Sequence, residues 1–488
     1  MPVWHVLPHQ AARFHDTLFS EIMKTPDKNN NTPPGPDTPW LGLPLLGELK
    51  DDALGTAQRM REQYGDVVHF RMANQPYYYF FSPEHIRELL VDHADDLIRH
   101  ERAIEVFSLV YGDNVLTAEG DVWKRQRRIL MPGFLPKKIA GYADLMTGAV
   151  TDALDVAFPE KGAAGNVVDV DSFTTVLTMD VILRVLFSHK ASAAESQRAF
   201  EATRALEHQG MRELFWPKTP PDWFPYPGRM QKLKAKADLE NLIGSQIQAR
   251  RAAGEDQAEK TDYLAMLLSA HDDEAPGGLS APTLSTEEIR DNCMVIFAAG
   301  HDTTATVMTW WIGLMAHHPE VADRVRQEVA EVIGDSNPTA EQLSRLKWLN
   351  ATIKETMRLY PPTPNLFFRS PVRDIEIGGW HVPKGASINL PVWHVQHDAR
   401  WFPEPERFRP ERFMPNAPEI PRGAYMPFGA GPRVCIGQHL ATLEMALIAT
   451  FLIRQFDLRP CDAAGLPAPK IDMVLKPETT LRVNFLRR

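Results

Sequence analysis

The sequence predicts a mainly α fold with small, segregated β-sheets. Three observations carry this. Residues 84–360 show helical periodicity, broken near 158–166, 217–228 and 272–284. Strand signals cluster at two places, before 84 and at 375–391. The regular strand–helix beat of a doubly wound sheet is missing. With 44% hydrophobic and 24% charged residues among 488, the chain has the balance of a globular protein large enough to enclose a cofactor.

The elements follow in order. Residues 24–39, rich in Pro and Asn, read as a hinge behind an N-terminal extension, 1–39, in which a weakly amphipathic surface helix fits. Residues 40–488 are expected to form a single domain. Val67–Phe70 and Tyr77–Phe81 are β-branched or aromatic runs bounded by Gly65, Pro76 and Pro83. Ser285-Thr286-Glu287-Glu288 is a capping box, and the following pattern runs without Pro to His318. About 32 residues at 1.5 Å each make a helix near 48 Å long, enough to cross a domain. Pro319 suits the first turn of the next helix. Gly378-Gly379 turns one strand pair, Ser387–Leu390 is a further strand, a helix spans about 436–456, and a β-like tail closes the chain.

Composition excludes several classes. A net charge of −10 argues against a nucleic-acid binder. Cys293, Cys435 and Cys461 are too few and too scattered for a disulfide framework or a zinc site, so a reducing, cytoplasmic setting is expected. No uninterrupted apolar stretch of about 18 residues occurs, so no transmembrane anchor is expected.

Residues 428–437, Phe-Gly-Ala-Gly-Pro-Arg-Val-Cys-Ile-Gly, are a Gly-rich loop that delivers Cys435 to a helix start. Unpaired N–H groups there stabilise a thiolate, which is a good axial ligand for haem iron. A lone cysteine reads more simply as a small buried hydrophobe. Phe428, Gly431, Arg433, Cys435 and Gly437 together change this, because five fixed residues at about 5% usage coincide by chance on the order of once in 10⁴ such chains. They match F-x-x-G-x-R-x-C-x-G, and the segment resembles the haem-binding signature of the cytochrome P-450 family.

Other segments resemble the same family in its order. Ala299-Gly300-His301-Asp302-Thr303-Thr304 matches its oxygen-activation motif. An acid beside a hydroxyl suits proton movement, and the resemblance makes Asp302 the relay acid and Thr303 the hydroxyl beside the oxygen. Ala299 and Gly300 at mid-helix would let a flat ligand lie against the backbone, and Thr hydroxyls bonded to the preceding turn favour a local bend. Glu355 and Arg358, at i and i+3, would be an ordinary surface pair in isolation. Their segment resembles the E-x-x-R helix, and Pro410-Glu411-Arg412-Phe413 the loop whose Arg412 completes a Glu355–Arg358–Arg412 triad. Trp123 and Arg127, at i and i+4, resemble the W-x-x-x-R helix whose two donors bind a haem carboxylate; Arg369 and Arg433 are implied as further partners.

The resemblance covers roughly 40–488. It implies the family's fold, with haem b between the long central helix and the helix after the cysteine loop. It implies a haem-thiolate monooxygenase that inserts one oxygen atom of O2 into an apolar substrate, of a fatty-acid, terpenoid or carotenoid-like kind, the other atom leaving as water. Candidate pocket residues are Phe107, Ala299, Val307, Pro364, Leu366 and Thr479. About 30 residues after the last helix leave no room for a flavin or ferredoxin domain. Electrons would therefore come from NAD(P)H through a separate ferredoxin or flavoprotein reductase. The basic cluster of Lys124, Arg125, Arg128, Lys137 and Lys138 is either a solvated face or its docking patch. A soluble bacterial-type monomer is expected. The alternatives are a haem-thiolate peroxygenase or isomerase, which can dispense with the acid–alcohol pair, and a non-enzymatic haem-binding protein.

Overall fold

The structure, a computed structural model, describes residues 31–488 except 74, 160–164, 217, 253–261, 273–280, 283 and 463–464. The expected surface helix and most of the extension lie outside the described residues. Residues 32–39 carry no regular structure, and the Pro34 carbonyl accepts from His69 N–H at 3.0 Å.

The chain divides into two compact units. The smaller holds residues up to Ile98 together with Phe368–Leu390; the larger holds Arg99–Phe367 and Pro391–Arg488.

The smaller unit is built on a five-stranded sheet. β1 (Val67–Met72) and β2 (Gln75–Phe80) form an antiparallel pair with Val67 opposite Phe80. With β3 (Leu97–Arg99), β5 (Leu366–Pro371) and β8 (Ser387–Leu390) the order is β1-β2-β8-β5-β3, and β8 runs parallel to β2. Phe70, Tyr79 and Phe81 pack beneath it with Leu49, Ala57 and Met60. The hairpin β6 (Ile375–Ile377) to β7 (Trp380–Val382) turns at Gly378-Gly379, both left-handed (φ 55° and 81°), as the paired glycines require. The strand β5 is not evident in the sequence, because a six-residue run ending in Pro371 becomes a strand only through its neighbours.

The larger unit is helical. Helix α6 (Thr286–His317) starts on the capping box at Ser285 and crosses the core. It packs along α3 (Val170–Phe187), where Thr174 and Thr309 share a hydroxyl hydrogen bond at 2.7 Å. Gly300 belongs to this crossing: a Cβ there would lie 3.1 Å from Ile182. The expectation that Gly300 opens the helix to a flat ligand is thus corrected. Its missing side chain admits α3. The other helices around the site are α1 (Glu101–Tyr111), α2 (Gly120–Leu130), α4 (Ala193–Leu214), α5 (Arg229–Ala252), α7 (Pro319–Val332), α8 (Lys347–Leu359) and α9 (Gln438–Gln455).

Small sheets clamp α6. β9 (Phe456–Pro460) pairs with β12 (Arg482–Arg487), which pairs with β4 (Asn166–Asp169). β10 (Pro469–Asp472) and β11 (Val474–Pro477) form a separate hairpin. The Leu475 N–H donates to Pro362 O at 3.0 Å, and its carbonyl accepts from Trp310 Nε1 at 2.7 Å. Trp310 is fully buried and stacks on Tyr360 with centroids 3.9 Å apart. Trp310→Ala should therefore cost about 3–5 kcal/mol, read as a lower denaturant midpoint at unchanged slope.

Candidate functional site

The cysteine loop is shaped by its backbone. Gly429 and Gly431 are left-handed (φ 73° and 71°), which a side chain would strain. Gly429 N–H donates to Met426 O at 3.1 Å, and Cys435 N–H to Phe428 O at 2.9 Å. Gly437 caps α9, and a Cβ on it would lie 3.9 Å from Cys435 Sγ. The Cys435 side chain is accessible although Phe428 and Ile436 beside it pack on the main core. Burial pushes the thiol pKa up; the Gly437 N–H and the Arg127 charge pull against this without cancelling it. A thiol lowered by a helix terminus was expected. Metal binding releases a thiol's proton, so the Gly437 N–H and the Arg127 charge favour the ligand form.

Two guanidinium groups stand behind the loop. Arg127 Nη2 donates to Val434 O at 2.8 Å, and Arg433 Nη1 to Ala118 O at 3.0 Å. Arg433 lies 3.8 Å above the Trp123 ring and Arg127 5.8 Å from it. Arg433 also pairs with Glu119, and burial draws its pKa down to about 10. Trp123 therefore serves as a platform for both cations. Arg369 is buried on β5 in the smaller unit.

The expected triad forms. Arg358 Nε and Nη2 grip Glu355 at 2.8 and 2.9 Å, and Arg412 Nε approaches the same carboxylate at 3.3 Å. Glu355 and Arg358 are fully buried. Arg409 N–H donates to Glu355 at 2.9 Å, and Arg358 Nη1 to Gln396 O at 2.8 Å. Gln396 carries the support onward. Its Nε2 donates to Met357 O and Arg358 O, both at 3.0 Å, while its Oε1 accepts from Met426 N–H at 3.2 Å, two residues before Phe428.

Midway along α6 the burial pattern breaks. Phe297, His301 and Asp302 are buried, yet Ala299 is exposed and Thr303 half-exposed, four residues apart on one face. Thr303 Oγ1 donates to Ala299 O at 2.9 Å. Asp302 faces away from that stripe: Lys476 Nζ on β11 donates to its Oδ1 at 2.8 Å. An accessible thiol, two cations behind its loop and an open Ala299–Thr303 face on α6 are the donor set and surface an iron porphyrin needs.

A family model described as cytochrome P-450 matches residues 33–485. The chain belongs to the cytochrome P-450 family. It is similar to cytochrome P-450 734A6 of Oryza sativa subsp. japonica (33% identity; 87% of this chain, 80% of that protein). It is similar to cyclooctat-9-en-7-ol 5-monooxygenase of Streptomyces melanosporofaciens (31%; 88% and 92%) and to cytokinin hydroxylase of Arabidopsis thaliana (31%; 86% and 81%). It is a cytochrome P-450 monooxygenase with haem as its cofactor. Among the described residues no helix is long and apolar enough to cross a membrane.

Within this P-450 the proposed pocket residues divide. Phe107 is half-buried, edge-on to Phe367 at 5.4 Å, and Leu366 lies 3.9 Å from where a Gly429 Cβ would be. Val307 is 2% exposed and Pro364 is buried, so neither offers surface to a ligand; Thr479 is exposed. In the basic cluster Arg125 pairs with Glu288, while Lys124, Arg128 and Lys137 are exposed and Lys138 is half-buried. Glu119, Gln396, Lys476 and Glu207 do not stand out in the sequence, because no local spacing marks them. Glu355→Ala should leave Arg358 as an uncompensated buried charge. The expected loss is about 3–5 kcal/mol, seen as a lower unfolding midpoint and poorer haem retention.

Proposed function

We propose that this monooxygenase holds haem through the Cys435 thiolate and oxidises an apolar organic substrate with electrons from a separate redox protein. The accessible Cys435 thiol, set between Gly437 N–H and Arg127, carries the reading. When bound, haem supplies the activation of dioxygen, and a thiolate ligand favours O–O cleavage.

The chain's own groups divide the remaining work. Gly437 N–H and the Arg127 charge both favour the ionised sulfur over the thiol. Arg127 and Arg433 supply cations for buried carboxylates of the cofactor. Glu119 fixes Arg433, and Trp123 keeps both guanidinium planes in place. On the open face of α6, Thr303 offers a hydroxyl that both accepts and donates. Asp302, held ionised by Lys476, is the acid next to it in the chain. Half-exposed Phe107 and Leu366 and exposed Ala299 give the substrate apolar contact, which supports an apolar substrate class. Exposed Lys124 and Arg128 on α2, the helix that carries Arg127, support docking of an acidic electron donor there.

Cys435→Ser should abolish the red-shifted Soret band of the reduced carbon monoxide complex; its retention would refute the ligand assignment. Thr303→Ala should keep haem but send a larger share of reducing equivalents to hydrogen peroxide, measured as peroxide formed per NAD(P)H consumed. Unchanged coupling would remove Thr303 from proton transfer.

A further inference from the structure

Behind Asp302 lies a buried group of charges that the scheme above leaves unused. Glu207 on α4 and Asp302 on α6 are buried carboxyls that face the same ammonium group. Lys476 on β11 is 2.8 Å from Asp302 and 3.8 Å from Glu207. The three residues are 5–8% exposed. The other groups facing them are accounted for. Arg204 on α4 is paired with Asp171 of α3. His301 is fully buried, and burial lowers its pKa and keeps it neutral; its Nδ1 lies 2.7 Å from Phe297 O. Tyr111 on α1 is kept neutral by burial and by the two acids.

Three acids, Asp171, Glu207 and Asp302, face two cations, Arg204 and Lys476, so one negative charge in this interior has no cation to balance it. Burial, then the Asp302 charge, push the Glu207 carboxyl well above the usual range. Burial would raise Asp302 as well, but Lys476 and the surrounding donors overcome it and hold it below that range. Both directions agree with the distances, Lys476 lying closer to Asp302 than to Glu207: Glu207 is the acid and Asp302 the carboxylate.

We propose that Glu207 is a positioning residue that acts through Asp302, carrying the proton that this buried group must hold and loading it onto Asp302. The proton passes from Glu207 carboxyl to Asp302 carboxylate, leaving Glu207 ionised and Asp302 neutral. Asp302 then gives it up toward the Thr303 face and returns to its pairing with Lys476. Glu207, whose side chain keeps 10% of its surface, takes a replacement from water. One proton moves inward per cycle, no electron moves, and the trio returns to zero net charge. The use of this proton rests on the monooxygenase reading; its presence on Glu207 does not.

Infrared difference spectra of the holoenzyme in H2O and D2O test the proton's location. Glu444 on α9 is a second acid, 2% exposed and raised by burial, so Glu444→Gln serves as the control. Glu207→Gln should remove one carboxylic-acid carbonyl band that Glu444→Gln keeps. Gln is a neutral donor of the same shape, so this variant should also fold and keep the wild-type haem spectrum. With a surrogate reductase and ferredoxin, its proton-dependent turnover should fall by at least about tenfold. Its solvent isotope effect should grow, and Glu207→Asp should restore part of the rate. Any one of three results would overturn the inference: no acid band lost, failure of Glu207→Gln to fold, or an unchanged isotope effect and rate. The infrared result stands whatever ligates the iron, so it separates failure of this inference from failure of the Cys435 assignment.

Discussion

The architecture around the cysteine depends on one fully buried ion pair, Glu355 with Arg358. A pair taken out of water is worth little unless each remaining lone pair and proton finds a partner. Here they do. Glu355 also receives the Arg409 N–H and Arg412, and Arg358 also donates to the carbonyls of Gln396 and Arg407. The result is a rigid polar knot between α8 and the irregular 397–427 stretch. Gln396 passes that rigidity to the Met426 N–H, and Met426 O takes the Gly429 N–H. The loop that presents Cys435 is thereby held by hydrogen bonds rooted in the knot.

Charge is arranged differently on the two sides of the chemistry. Behind Cys435 two cations, Arg127 and Arg433, stand against Glu119, which suits a thiolate and carboxylates arriving with a cofactor. Behind Asp302 two carboxyls face one ammonium, which is neutral once Glu207 holds its proton. A site that binds anions needs fixed cations. A site that moves protons needs acids whose affinities differ by burial and pairing, as those of Glu207 and Asp302 do.

Much of this was legible in the chain because it is written locally. The capping box at Ser285, the proline-free run to His318, the Gly378-Gly379 turn and the i, i+3 spacing of Glu355 and Arg358 are all short-range signals, and each reappears in the fold. What was not legible is long-range. Lys476 meets Asp302 across 174 residues, and Gln396 meets Met426 across 30. No periodicity announces either. Gly300 was read as room for a ligand, whereas α3 takes that space, and Val307 was read as a pocket wall, whereas it is core. A helix face can be assigned from sequence only when the other occupants of its surroundings are known, and α6 is covered nearly all round.

The central claim is that the sulfur of Cys435 binds the haem iron. X-ray absorption at the iron edge of the purified holoprotein tests it directly. A sulfur atom should appear in the first coordination shell of the wild type and vanish in Cys435→Ser. A wild-type shell made only of nitrogen and oxygen would contradict the account.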